Sequence, residues 1–412
     1  MNRIVLIGNG FDLAHGLKTK YEDFIDWYWR DCGKRLLHGI GGIIDDGICA
    51  FKLKDNVGLV NWYDVWSYFY VKSAEFGPWN ELEVVEIAKN DRKLCDFPIK
   101  NSLFQKICIE VETKNWVDIE DVYYSFLKSS DNPKQVNDDL KFIKDKLIEY
   151  LNSLQGADLK PNIKEQIFAP ISNKEIAIES MDRWNEMVKG RLNYEKDDWQ
   201  KLFEGYYTGY GALQSANSSV EHFKSEFETD ILSGTFDNIM ETVCPAFRLP
   251  DDIMLLDFNY TNTTDLYLPQ AEKFIVNHIH GSLSNPDSVI FGYGDELDNS
   301  FKELLDKNDN EYLRNIKSIK YQEVPNYRNM LRFIESSPYQ IYIMGHSCGN
   351  SDRTMLNTLF EHRNCVSIKP FYHKWDDGTD NYMEIVQNIA RNFTDMKLMR
   401  DRVVNKTFCE TI

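Results

Sequence analysis

The stretch Arg3-Ile4-Val5-Leu6-Ile7-Gly8-Asn9-Gly10-Phe11-Asp12-Leu13-Ala14-His15-Gly16-Leu17 carries the reading on which the fold turns. Residues 4–7 are β-branched or leucine without a break. Arg3–Ile7 therefore reads as a short strand, and an apolar run with no polar alternation places it at the centre of a parallel sheet, covered on both faces. Gly8 ends that run, and Gly8 and Gly10 permit a tight turn. A helix is expected next, because Phe24, Tyr28 and Cys32, with Ile25 and Trp29, recur at four-residue spacing. Thr19 with Glu22 three residues later matches a capping box. A strand, a glycine turn and a helix open the doubly wound α/β folds. Glycines at that turn let backbone N–H groups approach a pyrophosphate.

Similar strands return only after about residue 251. Residues 253–256, 274–276, 289–291 and 341–344 are short apolar runs, 365–368 is another, and 383–390 reads as a closing helix. In between, charged and aromatic residues interleave, as in Asn61-Trp62-Tyr63-Asp64-Val65-Trp66. Val136, Leu140, Ile143, Leu147, Leu151 and Leu154 form a helical stripe. Only some three heptads are present, so the stripe is read as packing within the chain instead of as an intermolecular coiled coil. The expected architecture is α/β and Rossmann-like: a mostly parallel sheet from residues 1–40 plus 250–412, interrupted by a large helical insertion, 41–249, of lid-like or partner-facing character.

Hydrophobic residues at 42% and charged ones at 27% suit a globular core. The net charge of −18, with no Lys/Arg-rich run, makes nucleic acid an unlikely partner. The first apolar run is too short for a signal peptide, and no stretch approaches the roughly 18 apolar residues a membrane span needs. The eight cysteines are scattered without a C-x-x-C pair, which argues against a zinc site or a disulfide framework. A cytoplasmic protein without a metal is the expectation.

Candidate chemistry lies where strands end, the place where open α/β sheets bind ligands. One such end is Asp257-Phe258-Asn259-Tyr260-Thr261-Asn262-Thr263, and another is Asn277-His278-Ile279-His280-Gly281. An Asn259 amide can orient a water or a ribose hydroxyl, and a neutral His280 can accept a proton. A lone histidine is more often structural; the placement of His280 before a glycine at a strand end, with Asn259 ending the adjacent strand, is what sets a chemical role beside that reading. Ile341-Tyr342-Ile343-Met344-Gly345-His346-Ser347-Cys348-Gly349 fits the G-x-S-x-G elbow of serine esterases. That mechanism needs an acid and then a histidine downstream, and only His362 and His373 follow, too close for two more strand–loop units. The alternative has Gly345 and Ser347 lining a nucleotide pocket. Gly292-Tyr293-Gly294-Asp295 reads either as a plain turn or as a ligand contact. Hydride transfer is disfavoured, because the acidic residue expected about 20 positions after the glycine turn would fall in a helix carrying Glu22, Asp23 and Asp26.

In this order the segments Ile7-Gly8-Asn9-Gly10-Phe11-Asp12 with His15-Gly16-Leu17 and Tyr21, Asn259-Tyr260-Thr261, His278-Ile279-His280-Gly281, and Gly345-His346-Ser347 with Asp352 resemble the AbiH family of bacterial phage abortive-infection proteins. They are also similar, more distantly, to sirtuin-like NAD-binding folds. There a glycine turn holds the pyrophosphate, an asparagine closes one strand, a histidine before glycine acts as the base, and a later G-x-S contacts the ribose. The resemblance implies NAD as a hydrolysed substrate, with release of nicotinamide. His280 would be the base, Asn259 would orient water or ribose, and Asp12 would stabilise charge or hold the ribose. Gly8, Asn9, Gly10, Phe11, Gly16, Gly345, His346, Ser347 and Asp352 would contact the cofactor. Asp12 stands where the sirtuin-like turn has serine, Lys18-Thr19-Lys20-Tyr21 replaces its Pro-Asp-Phe-Arg run, and paired zinc cysteines are absent. Protein deacylation is therefore not expected. A non-catalytic nucleotide sensor or scaffold is the competing class. A phage-derived or defence-system activator and a homo-oligomer stay open as partners.

Overall fold

The computed structural model describes residues 1–38, 43–53, 81–90, 95–96, 98–114, 118–154, 156–192, 248–268, 274–294 and 296–412. The interleaved stretch 61–66 and Asp295 lie outside them. In chain order the described strands are β1 (Asn2–Ile7), β2 (Ile43–Asp45), β3 (Ala50–Leu53), β4 (Cys95–Asp96), β5 (Ile253–Asp257), β6 (Phe274–His278), β7 (Tyr339–Met344) and β8 (Cys365–Phe371).

Every residue of β1 is buried: the apolar run 4–7 requires it, and the polar Asn2 and Arg3 are buried with it. The strand lies at the centre of a five-stranded sheet ordered β6-β5-β1-β7-β8. All four pairings are parallel, and Ile7 stands beside both Asp257 and Met344. Counted along the chain within this sheet, the order is 3-2-1-4-5, that of a doubly wound Rossmann-like fold. The chain winds outward from β1 to β6, then restarts on the other side with β7. The switch point falls between β1 and β7.

Alternate residues of β1 serve opposite layers. Ile4 and Leu6 pack with Met330, Ile334, Leu356 and Ile389, from the helices Asn326–Ser336, Arg353–Phe360 and Tyr382–Arg391. Val5 and Ile7 pack with Phe11, Ile163, Ile167 and Tyr267. Each such side chain withdrawn from water contributes roughly 1.5–3 kcal/mol. Part of the second layer is thus supplied by the Pro161–Phe168 helix, which belongs to the insertion. Arg3 is fully buried on that side; it donates to the Ile167 carbonyl at 2.7 Å and to Gln340 Oε1 and Tyr342 Oη at 3.1 Å.

The insertion's own core is continuous with the α/β unit. Val136, Leu140, Ile143, Leu147 and Leu151 of the Pro133–Ser153 helix share one cluster with Phe24 and Tyr28, and with Tyr293, Tyr312 and Ile316. The stripe therefore packs within the chain.

Three local expectations are corrected. Residues 289–291 form no strand: the Ile290 amide donates to the His280 carbonyl at 2.8 Å, beyond His278 where β6 ends, so no strand remains to pair with. The second helix starts at Tyr21, and its reciprocal cap is the Lys20 amide on Asp23 Oδ2 at 3.3 Å, while Thr19 Oγ1 has no partner. The insertion is not purely helical, since β2, β3 and β4 form a small antiparallel sheet. Strands this short carry no period for a sequence reading to detect. No described helix is long and apolar enough to cross a membrane.

Candidate functional site

The turns after β1 and β7 meet at the switch point. The Gly10 amide donates to the Gly345 carbonyl at 2.8 Å, and the Gly8 amide to the Met344 carbonyl at 3.3 Å. A Cβ on Gly8 would lie 2.5 Å from His346 Cα, and one on Gly345, whose φ is +74°, would lie 2.0 Å from the Phe11 nitrogen. These glycines are required by close approach between two backbones. The Phe11 amide also donates inside the protein, to the Gly8 carbonyl at 2.8 Å. Three amides of the expected phosphate cradle thus already have partners.

A cavity of about 1130 Å³ opens over these turns. Gly8, Asn9, Gly10, Asp12, Asn259, His280, Gly345, His346, Ser347 and Asp352 all border it, although they come from four separate parts of the chain. Phe11 and Gly16 are not brought to it. The Phe11 ring is fully buried against His15, 4.5 Å between centroids, and Gly16 follows the short Asn9–Ala14 helix with φ +80°.

Asn259 is pinned at both ends. Its amide nitrogen Nδ2 donates to the Gly8 carbonyl at 3.0 Å, and its backbone N–H to Asp257 Oδ1 at 2.9 Å. Its Oδ1 remains the acceptor with which it can address a ligand. Asp12 is 1% exposed; Oδ2 accepts from Thr261 Oγ1 at 2.6 Å, and Oδ1 is buried with no partner. Burial pushes its carboxyl up to about 6, against the Thr261 and Thr263 hydroxyls and with help from Asp257.

His280 and Asp352 form the centre of the array. Nε2 of His280 stands 3.2 Å from Asp352 Oδ1 and 3.1 Å from Tyr321 Oη. An ionised carboxylate only accepts, so Nε2 carries the proton and Nδ1 is left as the basic nitrogen. Burial and the Lys317 charge lower the His280 pKa, with Asp352 opposing, so the ring is neutral at pH 7. Burial would raise the Asp352 carboxyl, but Lys317 and His280 hold it well below the usual carboxylate range. His346 accepts the Cys348 amide at Nδ1, 3.0 Å, and turns Nε2 toward Asp352 Oδ2 at 3.7 Å. His278, by contrast, faces Asp257 Oδ2 at 3.3 Å and Asp265 at 3.9 Å, without hydrogen-bond alignment at Nδ1.

Ser347 is exposed at the cavity, where its carbonyl accepts from Asn388 Nδ2 at 2.8 Å. The positive φ angles of this loop fall on Gly345 and Cys348, flanking the serine. Among the described residues no imidazole is hydrogen-bonded to its hydroxyl; His362 pairs with Glu335 at 3.2 Å, and the His373 ring lies against Trp375, 5.3 Å between centroids.

Two charged members escaped the sequence reading. Lys317, 1% exposed, donates to Glu120 Oε2 at 2.6 Å and to Asp352 Oδ1 at 2.9 Å. Glu120 sits in the first turn of the Ile119–Ser129 helix, capped by Asp118, where an acidic residue is ordinary dipole chemistry. Lys317 lies in Asn315-Ile316-Lys317-Ser318, with no pattern to single it out. Gly292 of the glycine pair has a structural part here: its amide donates to Glu120 Oε1 at 3.2 Å.

A doubly wound sheet whose switch-point cavity holds a carboxylate-oriented, neutral imidazole defines an α/β protein with a candidate catalytic cavity at its strand ends. The chain belongs to the family described as bacteriophage abortive infection AbiH, which matches residues 4–373. That span takes in every residue of the array and the insertion. No curated protein and no solved structure matches the chain.

Proposed function

We propose that this abortive-infection protein binds NAD in the switch-point cavity and hydrolyses its nicotinamide–ribose bond. The observation that carries the reading is the Asp352–His280 pair, at 3.2 Å, bordering a cavity that Asp12 also lines. Water would attack the anomeric carbon and give its proton to His280 Nδ1. The C–N bond breaks with its electron pair passing to the pyridinium nitrogen, so nicotinamide leaves neutral and needs no acid. Positive charge moves onto the sugar in the transition state. Asp12 and Asp352 border the cavity as carboxylates that favour such charge, while Lys20 and Lys160, which also line it, suit the pyrophosphate. The buried Asp12 carboxylate would stabilise that charge through space, and Asn259 Oδ1 would orient the water.

The test is to incubate the full-length protein with NAD, with and without lysate from phage-infected cells as a source of activator, and to follow nicotinamide and ADP-ribose by chromatography. Release of both supports hydrolysis. Calorimetric binding without release supports the nucleotide-sensor class, and neither binding nor release overturns both.

A further inference from the structure

Glu120 belongs to the insertion, yet it is buried at the edge of the cavity. Its Oε2 lies 2.6 Å from Lys317 Nζ, which also donates to Asp352 Oδ1 at 2.9 Å. The same Oδ1 faces His280 Nε2 at 3.2 Å. One carboxylate oxygen is therefore shared by an ammonium and an imidazole, while a second carboxylate competes for the ammonium. Charges this close and away from water act on one another far more strongly than at a surface.

We propose that Glu120 is a positioning residue for the cavity: through Lys317 it sets how much of the Asp352 charge is left to His280, so that the seating of the insertion tunes the base. The role given to His280 rests on the function proposed above. When Glu120 is neutral, Lys317 is committed to Asp352 and the imidazole feels a compensated carboxylate. When Glu120 is ionised, Lys317 is divided between two anions, Asp352 regains charge, and His280 becomes the stronger base.

The surroundings of Glu120 place that change within reach. Asp118 caps its helix, Tyr21 and Tyr260 face it from the second helix and the turn after β5, and Lys317 and Asp352 complete the shell. Burial pushes the Glu120 carboxyl up to about 8, against Lys317 and with Asp352 and Asp118 reinforcing. Tyr21, Tyr260 and Tyr321 are all raised by burial, well above the ordinary tyrosine value, and stay neutral there. His280 itself is faced by Lys317, Asp352, His346 and Tyr321.

The experiment is a pH titration of the full chain carrying ¹³C-labelled histidine, with the His280 resonance assigned by its loss in His280→Asn. The wild-type signal is expected to move twice, once below the ordinary histidine value and again near pH 8 as Glu120 ionises. Glu120→Gln keeps the first step and erases the second, and Lys317→Met moves the first step upward. Nicotinamide release should rise through pH 8 in the wild type and stay level in Glu120→Gln. A second step that survives Glu120→Gln, or a first step unmoved by Lys317→Met, overturns the proposal. If Glu120→Gln does not fold, the wild-type curve decides by itself, because a single inflection rules the coupling out. The resonance needs no NAD, so a chain that leaves NAD intact refutes the proposed reaction while this question is still answered.

Discussion

The amide of Gly10 donates to the carbonyl of Gly345 at 2.8 Å, which makes the turns after β1 and β7 one interlocked piece. The switch point of the sheet is closed at its base by backbone, and the cavity begins above that contact. The glycines are therefore tested first as packing residues.

Gly345→Ala should destabilise the fold by roughly 2–4 kcal/mol, since it adds backbone overlap to a left-handed conformation. Gly16 has a similar φ of +80° but no atom within 4 Å of an added Cβ, so Gly16→Ala should cost only about 1 kcal/mol. Denaturant midpoints of the two variants make the comparison. Equal losses would mean that strain, and not the contact between turns, dominates at Gly345.

His280→Ala should lower nicotinamide release by about 10²–10⁴-fold and leave NAD affinity nearly unchanged. Asn259→Ala should lower it as well, and the double variant should lose less than the product, because both groups act on one attacking water. His278→Ala is the control. It faces Asp257 and Asp265 away from the cavity lining, so its loss should appear in thermal stability. Activity lost in His278→Ala and kept in His280→Ala would transfer the role.

Asp12 supplies a pH test of stability. Its carboxyl is raised from 3.8 to about 6 in the folded chain, so the folded state binds its proton more tightly than the unfolded one. The corresponding stability is full below pH 3.8 and is lost as pH rises through 6. Asp12→Asn has no such proton to lose. Its stability relative to wild type should grow by about 2–3 kcal/mol between pH 4 and pH 8, while NAD turnover falls. A difference that stays flat across this range would show that folding leaves the Asp12 carboxyl at its ordinary value.

Ser347 should not be a nucleophile. A fluorophosphonate probe is expected to leave the chain unlabelled at that hydroxyl, and Ser347→Ala to keep turnover within about tenfold, the range of a binding contact. Stoichiometric labelling that disappears in Ser347→Ala would install the esterase reading in its place.

Much of the fold was legible in the sequence, because a strand covered on both faces must be apolar without alternation, and residues 4–7 are. Strand ends were legible for a related reason: apolar runs stop where the sheet stops, so Asn259, His280 and Ser347 could be assigned to one rim of a parallel sheet. Residues 383–390 were readable as a closing helix, and the stripe from Val136 to Leu154 as a second one; they fall on Tyr382–Arg391 and Pro133–Ser153. These are local patterns of burial, and burial periodicity is what a sequence records most directly.

What the tertiary structure alone decided is which distant groups meet. The run 289–291 has the composition of a strand, but it lies past the end of β6 and has nothing to pair with. The Pro161–Phe168 helix reads as part of an insertion, yet it covers one face of the central sheet. Lys317 and Glu120 look like ordinary solvated charges, each in a short polar context, and they become buried partners only when the insertion closes on the residues after β6 and β7. A charge can be taken out of water only where an opposite charge waits for it, and that partner can lie anywhere along the chain. No local pattern marks such a pair, so the strand-end rim was readable from the amino-acid order and the charge network behind it was not.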